Sequence, residues 1–395
     1  MRLFLATAGS RGDVEPFVAL AKRALRAGHE VRLVVPDHSG VDLHGLDVVS
    51  LGVDYTALIE QQGVSVVAAL RSYRSVIKPL MRAVIIESAR AAWDYQPDVL
   101  LAHPKILSAP LAADALSIPY VQVEIVPVVT PTRAFPAAGT VNRDLGRFNT
   151  LTYRLASGGE RMFRRDLKDV SSMIGGSGGE PAPPAATLMP ISPALLDRPH
   201  DWDSTVHLTG PWRVGGSETV SAEVSEFMAG GDFVYAGFGS MASGDPAARA
   251  REVIGGIRGA GARALIAEGL GGLQVPPELR GEDVLVTGSV AHDAVLPNAR
   301  AAVHHGGIGT VHAATAAGVV SVLVPFIGDQ PFWGARLRER GLAPAPVPQR
   351  KLTAHRLSRA LVETEEFRPA VQAAARAMES EDGPGTALQV LETLR

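Results

Sequence analysis

Apolar positions change period twice within the first 40 residues. Arg2–Ala6 is a short apolar run, and beyond Gly9 and Gly12 the residues Val14, Phe17, Val18, Ala21 and Leu25 recur at near-helical spacing. Residues 30–35 (EVRLVV) are apolar again. The pattern predicts strand, glycine loop, helix, strand, and hence a right-handed parallel unit. Asp13 stands where an N-cap belongs, Pro16 falls in the first turn, and Gly28 follows the last periodic residue as a stop.

The same grammar continues. Helical stretches are expected around 64–95 and 108–116, with strands at Asp98–Ala102, Tyr120–Glu124 and Thr187–Ile191. Residues 125–146, rich in Pro, Thr and Ala without a period, read as a long loop, and 147–174 as one polar, Arg-bearing helix. Residues 175–184 (GGSGGEPAPP) have linker composition. A second series places strands at Phe233–Gly237, Ala262–Ala267, Val284–Thr287, Ala301–His304 and Val320–Val324. The expected organisation is α/β: an N-terminal domain over 1–196, a linker over 197–217 and a C-terminal domain over 218–395. Two Rossmann-like domains then face each other across a cleft.

Composition narrows the function classes. With a net charge of −3 the chain lacks the basic surface of a general nucleic-acid binder, and with no cysteine it has neither disulfides nor thiolate chemistry. The apolar run before Gly9 is too short for a secretory leader, and no run of 18 apolar residues exists. The expectation is a cytoplasmic protein, a monomer or weak homodimer, with no membrane span.

The chemistry concentrates in two loops. Residues His305-Gly306-Gly307-Ile308-Gly309-Thr310 follow an apolar strand and open a helix. A helix N-terminus stripped of side chains by glycines offers aligned N–H groups to a phosphate, and His305 and Thr310 add donors. Glycine-rich turns also serve close packing, so this loop alone leaves both roles open. The neighbouring His304 and His305 project differently and lack a third ligand at a helpful spacing, so no metal is expected. Further on, Asp329 and Gln330 stand together in Pro325–Trp333, at a strand's carboxyl end where open α/β sheets bind ligands. An acid beside an amide suits sugar hydroxyls; a helix cap is the competing role.

The pairing of HHGGIGT with PFIGDQPFWG resembles the donor-binding signature of GT-B glycosyltransferases of family 1. The nearest likeness is to bacterial glycopeptide-aglycone and sterol glucosyltransferase-like enzymes. Residues 9–13 (GSRGD) and Pro16 share the resemblance. It implies a GT-B fold and an inverting, metal-independent transfer of a hexose or deoxyhexose from a UDP- or dTDP-sugar to a small natural-product acceptor, with no cofactor. It further implies that His305, Gly306, Gly307, Gly309 and Thr310 meet the donor diphosphate, with Ser240 adding a contact. Asp329 and Gln330 would meet the hexose, and the loop around Val290 the base. Plant relatives place a tryptophan at that loop; its absence here leaves the nucleobase open.

Displacement at an anomeric carbon needs a base for the acceptor's proton, and Asp13 is the candidate. Capping the helix is its alternative role. Ser10 and Arg11 are expected to assist at the diphosphate or acceptor. His103, at a strand end, is expected to be structural, and Arg71, Arg74, Lys78 and Arg82 to form a solvated basic stripe. The rival activities are a sugar-nucleotide epimerase and a non-catalytic nucleotide-sugar binder. A nicotinamide-dependent dehydrogenase is disfavoured by the incomplete GxGxxG.

Overall fold

The computed structural model describes residues 1–55, 57, 72–176, 179–214, 220–239, 241 and 244–394. It contains two parallel sheets with helices on their faces. The first has the order β3-β2-β1-β4-β5-β6-β7 and the second β10-β9-β8-β11-β12. In the first, β1 (Arg2–Ala6), β2 (Glu30–Asp37), β3 (Asp47–Asp54), β4 (Val99–Ala102), β5 (Tyr120–Val123), β6 (Ala186–Met189) and β7 (Val206–Leu208) alternate with α1 (Arg11–Arg26), α2 (Lys78–Tyr95), α3 (Ala109–Leu116), α4 (Asn149–Ala156) and α5 (Arg164–Met173). The near-continuous apolar strands are buried on both faces, as a covered parallel sheet requires.

The second domain opens with α6 (Ala222–Ala229) and continues through β8 (Phe233–Gly237), α7 (Pro246–Gly259), β9 (Arg263–Ala267), β10 (Val284–Thr287), α8 (His292–Val295), β11 (Ala301–His304), α9 (Ile308–Ala316), β12 (Ser321–Leu323), α10 (Gln330–Glu339), α11 (Ala354–Met378) and α12 (Gly383–Glu392).

The structure departs from the sequence pattern in four places. The edge strand β3 carries too mixed a pattern to stand out, and its register against β2 shifts between Val35 and Asp37. Strand β7 lies inside the stretch expected as a linker and pairs with β6 in the first sheet. The single helix expected over 147–174 is broken by a 3-10 segment, Ser157–Phe163, at the Gly158-Gly159 pair. Finally, the N-cap of α1 is Ser10, three residues earlier than expected, so Asp13 is the N3 residue of a capping box.

One apolar core joins the domains. It runs from Phe17 and Trp212 through Phe135 and Trp202 to Ile308, Phe332 and Trp333. Phe135 meets Phe332 edge-on with ring centroids 5.5 Å apart. The 125–146 loop also touches the C-terminal domain at its tip, where a Cβ built on Gly139 would stand 3.4 Å from the Gly328 carbonyl carbon. His312 of α9 accepts the Ser192 N–H at 3.2 Å, tying that helix to the first domain.

The last helix returns to where the chain began. Leu388 and Leu391 of α12 bury themselves in the core that holds α1, and Ser192 Oγ donates to Glu381 Oε1 at 2.7 Å just before α12. Close passage there demands glycine: a Cβ on Gly383 would lie 2.4 Å from the Pro211 carbonyl oxygen. Among the described residues no helix is long and apolar enough to cross a membrane.

Candidate active site

The turn between β11 and α9 is built around two side chains. His304 is fully buried; its Nδ1 accepts the Gly306 N–H at 3.2 Å, which leaves Nε2 to donate to Ser321 Oγ at 2.9 Å. His304 therefore shapes the loop from beneath. Gly306 has φ +97°, and a Cβ there would meet Leu323 at 2.8 Å, so both backbone and space require glycine. The N-cap of α9 is Gly307, which offers no side-chain acceptor to the first-turn N–H groups of Ile308, Gly309 and Thr310.

The His305 ring lies over this uncapped end. Its Nδ1 is buried without a hydrogen-bond partner. Its Nε2 would be 2.6 Å from any Cβ added at Gly307, and Cε1 would be 3.8 Å from one added at Gly239. Burial, assisted by the nearby His292, lowers its pKa to about 4. The ring is thus neutral at physiological pH and carries one N–H. Neutral donors above a positive dipole end suit a pyrophosphate.

The loop after β12 delivers Asp329 as the N-cap residue of α10, yet its carboxylate makes no capping bond. Instead Oδ2 accepts the Trp333 indole N–H at 3.0 Å. Burial raises the Asp329 pKa to about 6; the backbone and the Trp333 hydrogen bond oppose this, and the Asp13 charge adds to it. Gln330, expected at the hexose, is engaged within its own loop. It is buried, and its Oε1 accepts the N–H groups of Phe326 at 2.8 Å and Ile327 at 3.2 Å. Its Nε2 faces Met241 Sδ at 3.2 Å. The amide holds the loop's own backbone, because that turn leaves two inward N–H groups that need an acceptor.

Across the cleft, Asp13 is fixed from three sides. Oδ2 accepts the Ser10 N–H at 3.0 Å and Oδ1 accepts the Lys105 ammonium at 2.8 Å, while His103 Nε2 lies 3.7 Å from Oδ1. Gly9, with φ +140°, makes the room: a Cβ there would fall 2.0 Å from Asp13 Oδ2. Burial pushes the Asp13 pKa up, but Lys105, then His103, then the Ser10 N–H overcome it, and the net shift is downward. His103 is driven down to about 3 by burial and by Lys105. With Nδ1 accepting the Lys105 N–H at 3.1 Å, its ring proton sits on Nε2, toward Asp13.

Lys105 was not singled out from the sequence. Its only signal there is its position two residues beyond His103, in the turn at the carboxyl end of β4. Its charge also lowers the Asp329 pKa while that of Asp13 raises it, so all three groups share one electrostatic neighbourhood spanning the two domains.

The remaining expected residues fall into place unevenly. Arg11 is exposed, pairs with Glu15 at 3.6 Å, and acts on the His292 pKa in the opposite domain. Ser10 contributes its backbone N–H to Asp13. Val290 is half-buried in the loop between β10 and α8. Next to it, His292 Nε2 lies 3.0 Å from the Tyr235 hydroxyl. Ser240 and the whole of 58–71, Arg71 included, lie outside the described residues. No cluster of metal-ligating side chains occurs among the described residues.

Comparison with known proteins finds a family match in each half of the chain. Residues 3–136 match the glycosyltransferase family 28 N-terminal domain. Residues 271–394 match the C-terminal domain described as erythromycin biosynthesis protein CIII-like. A sterol 3-beta-glucosyltransferase of Arabidopsis thaliana is 30% identical over 98% of this chain and 65% of its own. One from Penicillium rubens is 31% identical over 99% of this chain and 30% of its own. The chain thus spans less than two thirds of the length of these curated relatives. Among solved structures, the kitacinnamycin glycotransferase superposes with TM-score 0.73 at 19% identity, covering 100% of this chain and 98% of that one. VinC in complex with dTDP does so with TM-score 0.65 at 19% identity, covering 100% and 99%.

Proposed function

We propose, for a chain that belongs to the GT-B glycosyltransferases in both of its domains, that it transfers a hexose from a nucleoside diphosphate sugar to a hydroxyl of a small lipophilic acceptor. The observation that carries the donor half is the His305 ring, with a buried and unpartnered Nδ1, lying over the uncapped N-terminus of α9. The diphosphate takes the first-turn N–H groups and the imidazole. Asp329 faces the sugar with the oxygen that Trp333 does not use.

In the transfer step the acceptor oxygen forms its bond to the anomeric carbon as the bond from that carbon to the diphosphate breaks, with inversion. Asp13 takes the acceptor proton; the charge developing on the departing diphosphate is held by α9 and His305. The Lys105 ion pair keeps Asp13 ionised but weakens it as a base, which suits proton transfer late in the step. Lys105 gives up its bond to Asp13 when an acceptor hydroxyl takes that place.

The sterol 3-beta-glucosyltransferase relatives favour a fused-ring or similarly apolar alcohol as acceptor and glucose as sugar. Neighbours such as VinC, seen with dTDP, favour a thymidine donor. Calorimetry with UDP, dTDP and their hexose conjugates, followed by transfer to a sterol and to an aromatic polyketide alcohol, decides between them. One nucleotide bound at micromolar affinity and consumed only with acceptor supports the proposal. Turnover of the sugar nucleotide to an epimer without acceptor overturns it.

A further inference from the structure

Helix α4 is inside out. It buries Asn149, Thr152 and Tyr153 and turns an apolar stripe to solvent, with Phe148 52%, Leu151 49% and Leu155 77% exposed. The buried polar face has a clear purpose. Asn149 Nδ2 donates to the Arg133 carbonyl at 2.9 Å, Thr152 Oγ1 accepts the Ala137 N–H at 2.8 Å, and the Tyr153 hydroxyl donates to the Phe135 carbonyl at 3.2 Å. Those bonds hold the 125–146 loop, whose tip meets Gly328 of the C-terminal domain. Among the described residues nothing comparable accounts for the outer stripe, which the 3-10 segment extends with Met162, 53% exposed.

Positive charge surrounds the stripe. Arg147, Arg154 and Arg161 are exposed beside it, and Arg147 lies over the Phe148 ring at 4.9 Å. Arg164, Arg165 and Lys168 of α5 continue the exposed basic surface. Helix α2 packs against α5 and joins it through Arg82 and Asp166 at 3.3 Å, so the exposed Arg74, Lys78 and Arg82 adjoin the same face. Of the nearby acids, Asp144 is held by Asn149 and Asp166 by Arg82, while Glu160 and Asp169 are exposed among the cations. In a chain with a net charge of −3 this is a local cationic surface with an apolar ridge. An interfacial helix on an anionic bilayer has this composition: apolar side chains enter the acyl boundary while Arg and Lys meet the headgroups.

We propose that the Phe148–Leu151–Leu155 ridge, with its Arg and Lys surround, seats this domain on an anionic lipid surface. The occupant is the bilayer, because exposed Arg and Lys outnumber the exposed acids along this border and match anionic headgroups. Because α4 also holds the 125–146 loop, seating brings the mouth of the cleft to the membrane.

The test is co-sedimentation of the full chain with phosphatidylcholine vesicles, with or without phosphatidylserine, at low and high salt. No turnover is read, so a failure here leaves the proposed transfer untouched. Binding is expected only with phosphatidylserine, to weaken by about tenfold or more at high salt, and to be lost in Leu151→Ser/Leu155→Ser while melting is unchanged. Arg147→Ala/Arg154→Ala should weaken binding without abolishing it. Three results overturn the proposal: no sedimentation with either vesicle, equal binding to both, or a wild-type dimer that Leu155→Ser dissolves without any vesicle binding.

Discussion

Lys105 Nζ stands 2.8 Å from Asp13 Oδ1, so the carboxylate proposed as the base is already paired with a cation from the loop after β4. The pair sets both how strong a base Asp13 is and over which pH range it is ionised. Asp13 lies below its ordinary carboxylate value because Lys105, His103 and the Ser10 N–H together outweigh burial. Removing the ammonium must therefore raise its pKa. In Lys105→Met the acid limb of the kcat/KM–pH profile should move to higher pH; an unmoved limb would separate Asp13 from the reaction.

Asp13→Asn keeps the Ser10 contact and the fold of α1 but cannot take a proton. Transfer should fall by a factor on the order of 10² or more, with nucleotide affinity within error of wild type by calorimetry. Near-normal turnover would remove Asp13 from the role of base.

His305→Ala should weaken nucleotide binding by about tenfold, the effect of one lost hydrogen bond to a charged group. Gly307→Ala offers a subtler check. With φ −64° the backbone accepts alanine, yet the new Cβ would press on His305 Nε2. The melting temperature should barely change while the nucleotide Kd rises. If affinity holds in both variants, the diphosphate lies elsewhere.

Asp329 has its folded pKa raised to about 6 from an ordinary value of 3.8. A group raised in this way contributes stability that is fully present below the unfolded value and is lost as pH rises through the folded one. Asp329→Asn should consequently stabilise the protein at pH 7.5, by roughly 3 kcal/mol at most, and make little difference below about pH 4. Because Asp13 adds to the rise, Asp13→Asn should lower the Asp329 titration midpoint. Thermal melts across pH read both effects, and a variant equally stable at all pH values contradicts them.

Leu388 and Leu391 of α12 are buried against the first domain. Truncating either to Ala should cost about 2–4 kcal/mol, and amide exchange should quicken in α1 as well as in α12. Exchange confined to the C-terminal domain would count against the packing seen here.

What could be read in advance follows from locality. The order of strands and helices, and the position of both glycine loops at strand carboxyl ends, rest on short-range period and turn residues. The edge strand β3 and the three-residue β7 carry no such period and exist because a neighbour offers them a ladder. Asp13 was legible as important, but its place at N3 rather than at the cap depends on Ser10 turning extended. That the loop backbone takes the Gln330 oxygen could not be read from the motif, because it depends on how the turn at Phe326 and Ile327 folds. Lys105 became visible because β1 and β4 are adjacent in space, 92 residues apart along the chain at that contact.

The return of the C-terminal segment has a mechanical consequence. The polypeptide passes between domains twice, and at Gly210–Pro211 and Glu381–Gly383 the two passages run against each other. A double strap at one edge resists sliding of the halves, so any opening that keeps the two passages in contact turns about that edge and must part the Phe135–Phe332 contact. Under the proposed transfer, entry of the acceptor and exit of the nucleotide would share that one angular coordinate, and stiffening either strap should slow both alike.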